Sequence, residues 1–172
     1  MNPIIICEVT LDDLEELQKV SKQTFFETFS SDNSKEDMEK YLNINFSKEK
    51  LSQKIKNQYS TFFMAKIDNK AIGYLKINTK SAQTELINQN SLEIERIYVL
   101  KEFLGKKVGQ ILYNQAIEIA QKVNAELIWL GVWEHNLRAI RFYQKNGFKA
   151  FDKHIFKLGE DEQTDILMKL TL

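Results

Sequence analysis

The second half of the chain contains one pattern that limits the fold more than any other. Residues 127–132 form a continuous apolar run, as expected for a strand covered on both faces. Apolar residues in 108–123 repeat with the spacing of an amphipathic helix, and a second helix is predicted over 136–146 and closed by Gly147. Because 92–99 alternates like a strand, this half predicts a strand–loop–helix–strand–helix unit and therefore an α/β domain.

The remaining segments extend this unit without a linker or a repeat. Thr10 and Asp13 have capping-box spacing, and Ser34 and Ser47 each precede a helical pattern. The other predicted elements are strand 4–9, helix 11–28, a hairpin of strands 61–67 and 71–78 around Asp68-Asn69-Lys70, a loop over 81–90, and a terminal strand pair, 149–157 and 164–170, linked through Gly159. We therefore expect one domain over residues 1–172.

Composition excludes several classes of function. Lys and Arg number 24 and Asp and Glu number 24, so the formal net charge is +0 and the basic face that duplex nucleic acid requires is not expected. No apolar run approaches the roughly 20 residues of a membrane helix, and the short apolar stretch 4–6 lacks the features of a signal peptide. With one Cys and two His, neither an internal disulfide nor a metal site is expected. We expect a cytoplasmic protein with small-molecule or protein partners.

The segment 101–110 has the features of an anion-binding loop. It leads into a predicted helix, whose first N–H groups lack intrahelical acceptors and whose dipole places partial positive charge there. Gly105 and Gly109 allow close approach of the backbone, and Lys106 and Lys107 add charge that suits phosphate. The alternative interpretation is an ordinary loop with two solvated lysines. Neither a P-loop nor a dinucleotide-binding glycine motif is present.

A second segment helps to decide between an anion-binding loop and an ordinary loop. It contains Asn136, Ala139, Tyr143 and the pair Gly147-Phe148 in the order N-x-x-A-x-x-x-Y-x-x-x-G-F. Together with the preceding loop, this motif resembles the GCN5-related N-acetyltransferase (GNAT) superfamily. The resemblance implies an α/β (α+β) fold: a single mixed, mostly antiparallel sheet of about seven strands flanked by helices, with splayed central parallel strands.

The loop departs at two positions from the superfamily pattern Q/R-x-x-G-x-G/A. Leu104 stands where Gln or Arg is usual and Lys107 stands where the first Gly is usual, whereas Gly109 matches the pattern. Close approach of the backbone at Lys107 is therefore in question, but backbone N–H donors do not depend on the side chain.

The resemblance implies acetyl-CoA as the cosubstrate and no metal. The pantetheine arm would bind along the open edge of strand 92–99 as an added strand does, and the pyrophosphate would bind the loop and the helix N-terminus. Asn136 suits the pantetheine amides, and its position equally suits a helix N-cap. The residues expected to bind the cosubstrate are Ile97, Tyr98, Val99, Gly105, Lys106, Lys107, Val108, Gly109, Gln110, Asn136 and Lys145.

Tyr143 and Glu95 are the expected catalytic residues. The resemblance assigns Tyr143 as the general acid that protonates the leaving thiolate; the alternative is a core aromatic residue. The place of Glu95 before Tyr98-Val99 resembles that of the catalytic carboxylate in polyamine acetyltransferases, which implies that Glu95 accepts the proton that an alkylammonium acceptor must lose. Glu93 is the second candidate, and the alternative for either residue is a solvated strand face. A backbone N–H near Tyr98 would stabilise the oxyanion.

A further resemblance concerns the acceptor. Residues 24–29, Thr-Phe-Phe-Glu-Thr-Phe, with Asn33-Ser34 and Tyr41-Leu42, look like the start of PaiA-type polyamine acetyltransferases. This favours transfer to a primary amine of a polyamine such as spermidine or spermine. The alternatives are a protein or another small amine as acceptor, and a non-catalytic acyl-CoA-binding or regulatory module, which is prompted by Leu104 and Lys107. A homodimer is left open.

Overall fold

Seven strands in the described part of the chain form one mixed sheet with helices on both faces. The computed structural model describes residues 2–85, 87–158 and 161–172. The strands are β1 (Ile5–Glu8), β2 (Ser60–Ile67), β3 (Lys70–Thr79), β4 (Ser91–Val99), β5 (Leu127–Trp133), β6 (Lys149–Leu158) and β7 (Asp161–Thr171). The helices are α1 (Leu14–Phe29), α2 (Lys35–Asn45), α3 (Lys48–Lys56), α4 (Val108–Lys122) and α5 (Leu137–Lys145).

The order of the strands across the sheet is β1-β2-β3-β4-β5-β7-β6. The neighbouring strands pair antiparallel, except β4 and β5, which are parallel. The first and last strands of the described chain thus belong to the same sheet. The mixed, mostly antiparallel sheet expected from the sequence is confirmed.

Local side-chain caps set the starts of the N-terminal helices. Thr10 and Asp13 form the predicted capping box, but it opens a short 3-10 turn, so α1 begins at Leu14 rather than at residue 11. Ser34 caps α2 and Ser47 caps α3, each through its hydroxyl oxygen, as predicted. These caps are read correctly from sequence because each one involves residues within three positions of one another.

The two faces of the sheet bury separate apolar cores. One core includes Leu112 and Ala116 of α4 with Ile128 and Leu130 of β5, and the other is built largely from side chains of α1, α2 and α3. Trp129, between the two β5 residues, is also fully buried, so β5 is covered on both faces as its apolar run predicts. None of the helices in the described ranges is long and apolar enough to cross a membrane.

Two glycines have specific roles in the sheet and its connections. Gly147 follows α5 with φ +92°, the left-handed conformation predicted for a C-cap. A Cβ atom at Gly73 would lie 2.7 Å from the Tyr98 carbonyl oxygen, so β3 and β4 approach too closely there for a side chain. The predicted link through Gly159 lies outside the described residues.

Candidate active site

β4 and β5 separate at the centre of the sheet. Their parallel pairing begins with Ser91 opposite Leu127 and ends with Glu93 opposite Trp129, although β4 continues to Val99. A cavity of about 710 Å³, here called the first cavity, is lined by the end of β4, the loop that follows, the first turn of α4 and one side of α5. The predicted splay of the central parallel strands is therefore present.

The open edge of β4 presents the backbone groups of two residues toward β5. The Leu100 N–H donates to the Ile72 carbonyl oxygen over 2.9 Å, on the β3 side. Because hydrogen bonding alternates along an antiparallel pair, the backbone groups of Tyr98 also face β3, whereas those of Ile97 and Val99 face the gap. Residues 97–99 all line the first cavity. The backbone N–H donors predicted near Tyr98 are therefore those of Ile97 and Val99.

The loop before α4 orients a set of free backbone N–H groups. Lys107 is the N-cap of α4 and has φ +66°, a left-handed conformation that glycine adopts more readily than lysine. The first bond of the helix runs from the Ile111 N–H to the Lys107 carbonyl oxygen, over 3.1 Å. The N–H groups of residues 108–110 therefore lack acceptors within the helix. A Cβ atom at Gly109 would meet no atom within 4 Å, so the surface there is open.

The lysines of this loop differ in direction. Lys107 lines the first cavity, as do Gly105, Val108, Gly109 and Gln110. Lys106 is not part of that lining. Its Nζ lies over the Phe103 ring, 4.9 Å from the centroid, and its N–H already donates to the Phe103 carbonyl oxygen over 3.3 Å. Of the predicted cosubstrate residues, Lys106 alone is turned away from the cavity.

Further cationic side chains line the first cavity from outside the loop. Lys145 at the end of α5 was predicted, whereas Arg138 in its first turn was not. Arg138 lies two positions after Asn136 of the motif, so the sequence alone could have suggested that it lines the same cavity. Together with Lys101 and Lys107 these residues make the rim of the cavity suitable for phosphate groups.

Asn136 has the capping role that the sequence left as one of two alternatives. Its Oδ1 accepts a hydrogen bond from the Ala139 N–H over 3.1 Å at the start of α5. Asn136 also lines the first cavity and a second cavity that adjoins it. The cap uses the oxygen, so the amide nitrogen is left as the donor that could face a ligand.

Tyr143 lies at the meeting point of the two cavities. Its ring is buried against Phe142 and Phe148, with centroids at 5.2 and 5.6 Å. Within the described residues its hydroxyl has no hydrogen-bond partner, and burial raises the pKa of the phenol. The side chain is therefore both a core aromatic residue and a protonated donor that faces ligand space.

A second cavity, of about 340 Å³, adjoins the first and is lined by residues of both β4 and β5. It shares six lining residues with the first cavity, and these mark the junction of the two: Ile97, Tyr98, Trp133, Asn136, Ala139 and Tyr143. Away from the junction it is bounded by the aromatic rings of Phe25, Phe29 and Tyr41 and by the carboxylates of Glu93, Glu95 and Asp165.

Glu95 lies within a cluster of cations. Its carboxylate pairs with the ammonium of Lys76, lies 3.8 Å from Lys54 Nζ and 3.7 Å from Arg96 Nε, and accepts a hydrogen bond from Asn78 Nδ2 over 2.6 Å. Burial opposes ionisation of this carboxyl, but the three cations outweigh it and lower its pKa to about 2. These surroundings are those of a structural ion pair and make Glu95 a weak proton acceptor at neutral pH.

Glu93 is surrounded by neutral hydrogen-bond donors, whereas Glu95 is surrounded by cations. Its side chain accepts hydrogen bonds from Asn78 Nδ2 over 2.9 Å, from the Thr84 N–H over 2.8 Å and from the Thr84 hydroxyl. Burial raises the pKa of this carboxyl, and the hydrogen bonds from Thr84 and Asn78 only partly offset that effect. Glu93 and Glu95 both reach Asn78, as expected for residues on one face of β4, although the β3–β4 pairing contains a bulge there.

Two residues of this region were missed by the sequence analysis. The buried Trp133 Nε1 has no hydrogen-bond partner among the described residues, and its ring lines both cavities. Asp165 of β7 lines the second cavity. The available signals were a tryptophan that ends a buried strand and a single acidic residue within the apolar strand pattern of 164–170.

The comparisons with known proteins agree with this geometry. The profile of the Acetyltransferase (GNAT) family matches residues 14–148. The protein named "Uncharacterized N-acetyltransferase in pepI 3'region" of Lactobacillus delbrueckii subsp. lactis is 41% identical over 172 residues, which are 100% of this chain and 99% of that protein. The fold and the site thus define an N-acetyltransferase with the GNAT fold. The chain belongs to the acetyltransferase (GNAT) family.

Within this family the chain is similar to PaiA. The crystal structure of PaiA N-acetyltransferase from Thermoplasma acidophilum in complex with coenzyme A superimposes with a TM-score of 0.81 at 29% identity, and 99% of each chain is covered. Spermidine N(1)-acetyltransferase of Thermoplasma acidophilum is 31% identical over 153 residues, which are 87% of this chain and 90% of that protein. No group of three or more His, Cys, Asp or Glu side chains among the described residues is placed to hold a metal ion.

Proposed function

We propose that this N-acetyltransferase transfers the acetyl group of acetyl-CoA to a primary amine of a polyamine, such as spermidine or spermine, by direct attack in a ternary complex. One observation carries the proposal: two cavities meet at the gap between β4 and β5, with six residues lining both. Two substrates, one in each cavity, can then react at the junction without a covalent enzyme intermediate.

The first cavity is suited to acetyl-CoA, which supplies an acetyl group activated as a thioester. The backbone groups of Ile97 and Val99 would bind the pantetheine amides, as a sheet edge binds an added strand. The free N–H groups at the start of α4 and the cationic rim would bind the pyrophosphate. The coenzyme A bound to PaiA from Thermoplasma acidophilum supports this assignment.

Tyr143 would donate the proton that the leaving thiolate needs. In the proposed reaction the amine nitrogen bonds to the thioester carbon, the carbon–sulfur bond breaks, and the thiolate takes the phenolic proton. Burial raises the pKa of Tyr143, so the phenol stays protonated and can donate its proton to the thiolate as the carbon–sulfur bond breaks. A backbone N–H of Ile97 or Val99 would stabilise the negative charge that develops on the acetyl oxygen.

The second cavity is suited to an amine on a hydrocarbon chain. Its aromatic wall of Phe25, Phe29 and Trp133 would pack against methylene groups and attract an ammonium group. Glu93 and Asp165 line the same cavity, and neither has an ion pair among the described residues. Spermidine N(1)-acetyltransferase of Thermoplasma acidophilum, at 31% identity, supports a polyamine acceptor.

Glu93 is the better candidate for the residue that accepts the amine proton. The sequence analysis placed Glu95 first, but Lys76, Lys54 and Arg96 hold its charge and depress its pKa to about 2. The raised pKa of Glu93 is closer to the operating pH of a general base. In this proposal Glu93 receives the proton, directly or through water, and Glu95 fixes the cations around it.

The test is a panel of acceptors assayed with acetyl-CoA for release of the free thiol of CoA. The panel contains spermidine, spermine, a monoamine of matched length, a lysine peptide and a peptide with a free N-terminus. Release with the polyamines at the highest kcat/KM supports the proposal. Preference for a peptide would favour a protein acceptor, and CoA binding without release for any acceptor would favour a non-catalytic module.

A further inference from the structure

The three carboxylates of the second cavity differ in how they are partnered. Glu93 accepts three hydrogen bonds, and Glu95 pairs with three cations and an amide. Asp165 has neither a hydrogen bond nor an ion pair with any residue in the described ranges, although it is half-buried. A carboxylate taken partly out of water without a partner costs free energy, and a cationic ligand would remove that cost.

Strand pairing places Asp165 beside a residue without a side chain. It lies opposite Trp133 on β5 and opposite His154 on β6. A Cβ atom at Gly131 would lie 3.5 Å from Asp165 Oδ2, so the glycine leaves open space next to this oxygen. Gly131, His154 and Asp165 all line the second cavity. The carboxylate therefore borders ligand space rather than packed protein.

The neighbouring charged groups do not neutralise Asp165. The guanidinium of Arg96 lies 3.7 Å from Glu95 and over the Phe46 ring, 4.4 Å from its centroid. His154 Nδ1 lies 2.7 Å from Glu85 Oε1. Burial raises the pKa of Asp165, and His154 opposes that shift only in part. Arg96 and His154, the basic side chains that line the second cavity with Asp165, thus have other partners.

Asp165 neighbours the junction through Trp133 but does not itself line the first cavity. The residues that line both cavities include Tyr143 and Trp133, whereas Asp165 and Gly131 line the second cavity alone. A group held by Asp165 would therefore lie in the second cavity, outside the set of residues shared with the first cavity. That position suits a second charge on the acceptor rather than the nitrogen that is acetylated.

We propose that Asp165 binds a second, non-reacting ammonium group of the acceptor and so selects diamines and polyamines over monoamines. This rests on the proposed acetyl transfer to small amines. One ammonium group would pair with the Asp165 carboxylate, and the methylene chain would run along the rings of Trp133 and Phe29 toward the junction. The carboxylate acts through charge and hydrogen bonding with the ammonium, and no proton or group is transferred to it.

The test compares Asp165→Asn with the unchanged protein on spermidine and on n-butylamine, each at saturating acetyl-CoA. Asparagine has nearly the same shape and removes only the charge. For spermidine, KM is expected to rise about 10- to 100-fold, the usual effect of losing a hydrogen-bonded charge partner. For n-butylamine kcat/KM stays within about 2-fold, because this substrate has no second ammonium group. Asp165→Glu should restore part of the spermidine preference.

Glu162→Gln is the matched control, since Glu162 lies on the same strand, is exposed and pairs with Lys157 at 2.9 Å. This variant should leave KM and kcat/KM unchanged for both spermidine and n-butylamine. Equal losses for spermidine and n-butylamine in Asp165→Asn would overturn the proposal and assign Asp165 to the reacting nitrogen. Unchanged spermidine kinetics would also overturn it.

If Asp165→Asn melts at a lower temperature, Asp165→Ser is measured in the same way, with spermidine binding by calorimetry. Failure of the proposed function itself is distinct, because the unchanged protein would then acetylate neither amine.

Discussion

The Lys76 ammonium and the Glu95 carboxylate form an ion pair in the wall of the second cavity. The Lys76 side chain is only 4% exposed and that of Glu95 15%, so neither charge is compensated by solvent. Removing one partner leaves buried cations without a counter-charge, and Glu95→Gln is expected to lower the free energy of unfolding by about 3 kcal/mol. Urea unfolding at pH 7 measures this. The double variant Lys76→Met with Glu95→Gln should recover part of the loss, and a loss below about 1 kcal/mol in the single variant would contradict the assignment.

The same ion pair predicts how stability depends on pH. The pKa of Glu95 is lowered to about 2 in the folded protein, below the ordinary value for a glutamate. Its contribution is therefore complete above the ordinary pKa and is lost as the pH falls toward 2. The difference in unfolding free energy between the unchanged protein and Glu95→Gln should shrink over this acidic range. A difference that stays constant would show that the charge of Glu95 is not what stabilises the fold.

Glu93→Gln separates the two candidates for the proton acceptor. If Glu93 takes the amine proton, kcat/KM for spermidine falls about 100-fold and the acidic limb of the pH–rate profile disappears. Glu95→Gln, once corrected for the folded fraction, keeps that limb. The measurement is initial rate against pH for both variants. The reverse pattern, with the limb lost only in Glu95→Gln, would return the role to Glu95.

Gly109→Glu tests the cosubstrate site at the start of α4. A Cβ atom at this position would meet no protein atom within 4 Å, and glutamate is a better helix residue than glycine and suits a helix N-terminus. The melting temperature should therefore stay or rise, while the Kd for CoA rises at least about 10-fold because a carboxylate occupies the phosphate position. Calorimetric titration measures this Kd. Gln121→Glu, exposed on the last turn of the same helix, should bind CoA normally. Unchanged affinity in folded Gly109→Glu would reject the site.

Tyr143→Phe tests the proposed general acid. Its hydroxyl has no partner among the described residues, so the variant should fold with unchanged stability and bind acetyl-CoA with the same affinity. The expected loss in kcat is about 100-fold or more. Tyr113→Phe is the control, because Tyr113 is an equally buried tyrosine of α4 that packs on Phe148 and lines neither cavity. Turnover in Tyr143→Phe equal to that in the control would make Tyr143 a packing residue only.

The sequence predicted best what depends on neighbours along the chain. The caps at Ser34 and Asn136 and the left-handed residue at Gly147 each follow from residues within a few positions. The splay of β4 from β5 followed from the resemblance to known N-acetyltransferases, and the strand pairing, which ends at Glu93, agrees with it.

What the sequence could not predict depends on contacts between distant segments. Glu95 acquires its cations from Lys76 and Lys54, which lie on β3 and α3. Asp165 reaches the second cavity through its register with Trp133, more than thirty positions away. Lys106 and Lys107 are adjacent in sequence, yet the left-handed turn at Lys107 points only one of them into the first cavity. Register and direction of this kind are set by the packed sheet rather than by local pattern.

The most direct test of the proposed function is detection of the product by mass spectrometry after incubation with acetyl-CoA and an equimolar mixture of spermidine, n-butylamine and a lysine peptide. The proposal predicts N-acetylspermidine as the dominant product, formed with one free CoA thiol per acetyl group. Acetylation of the peptide in preference to spermidine, or acetyl-CoA left intact by the folded protein, would contradict it.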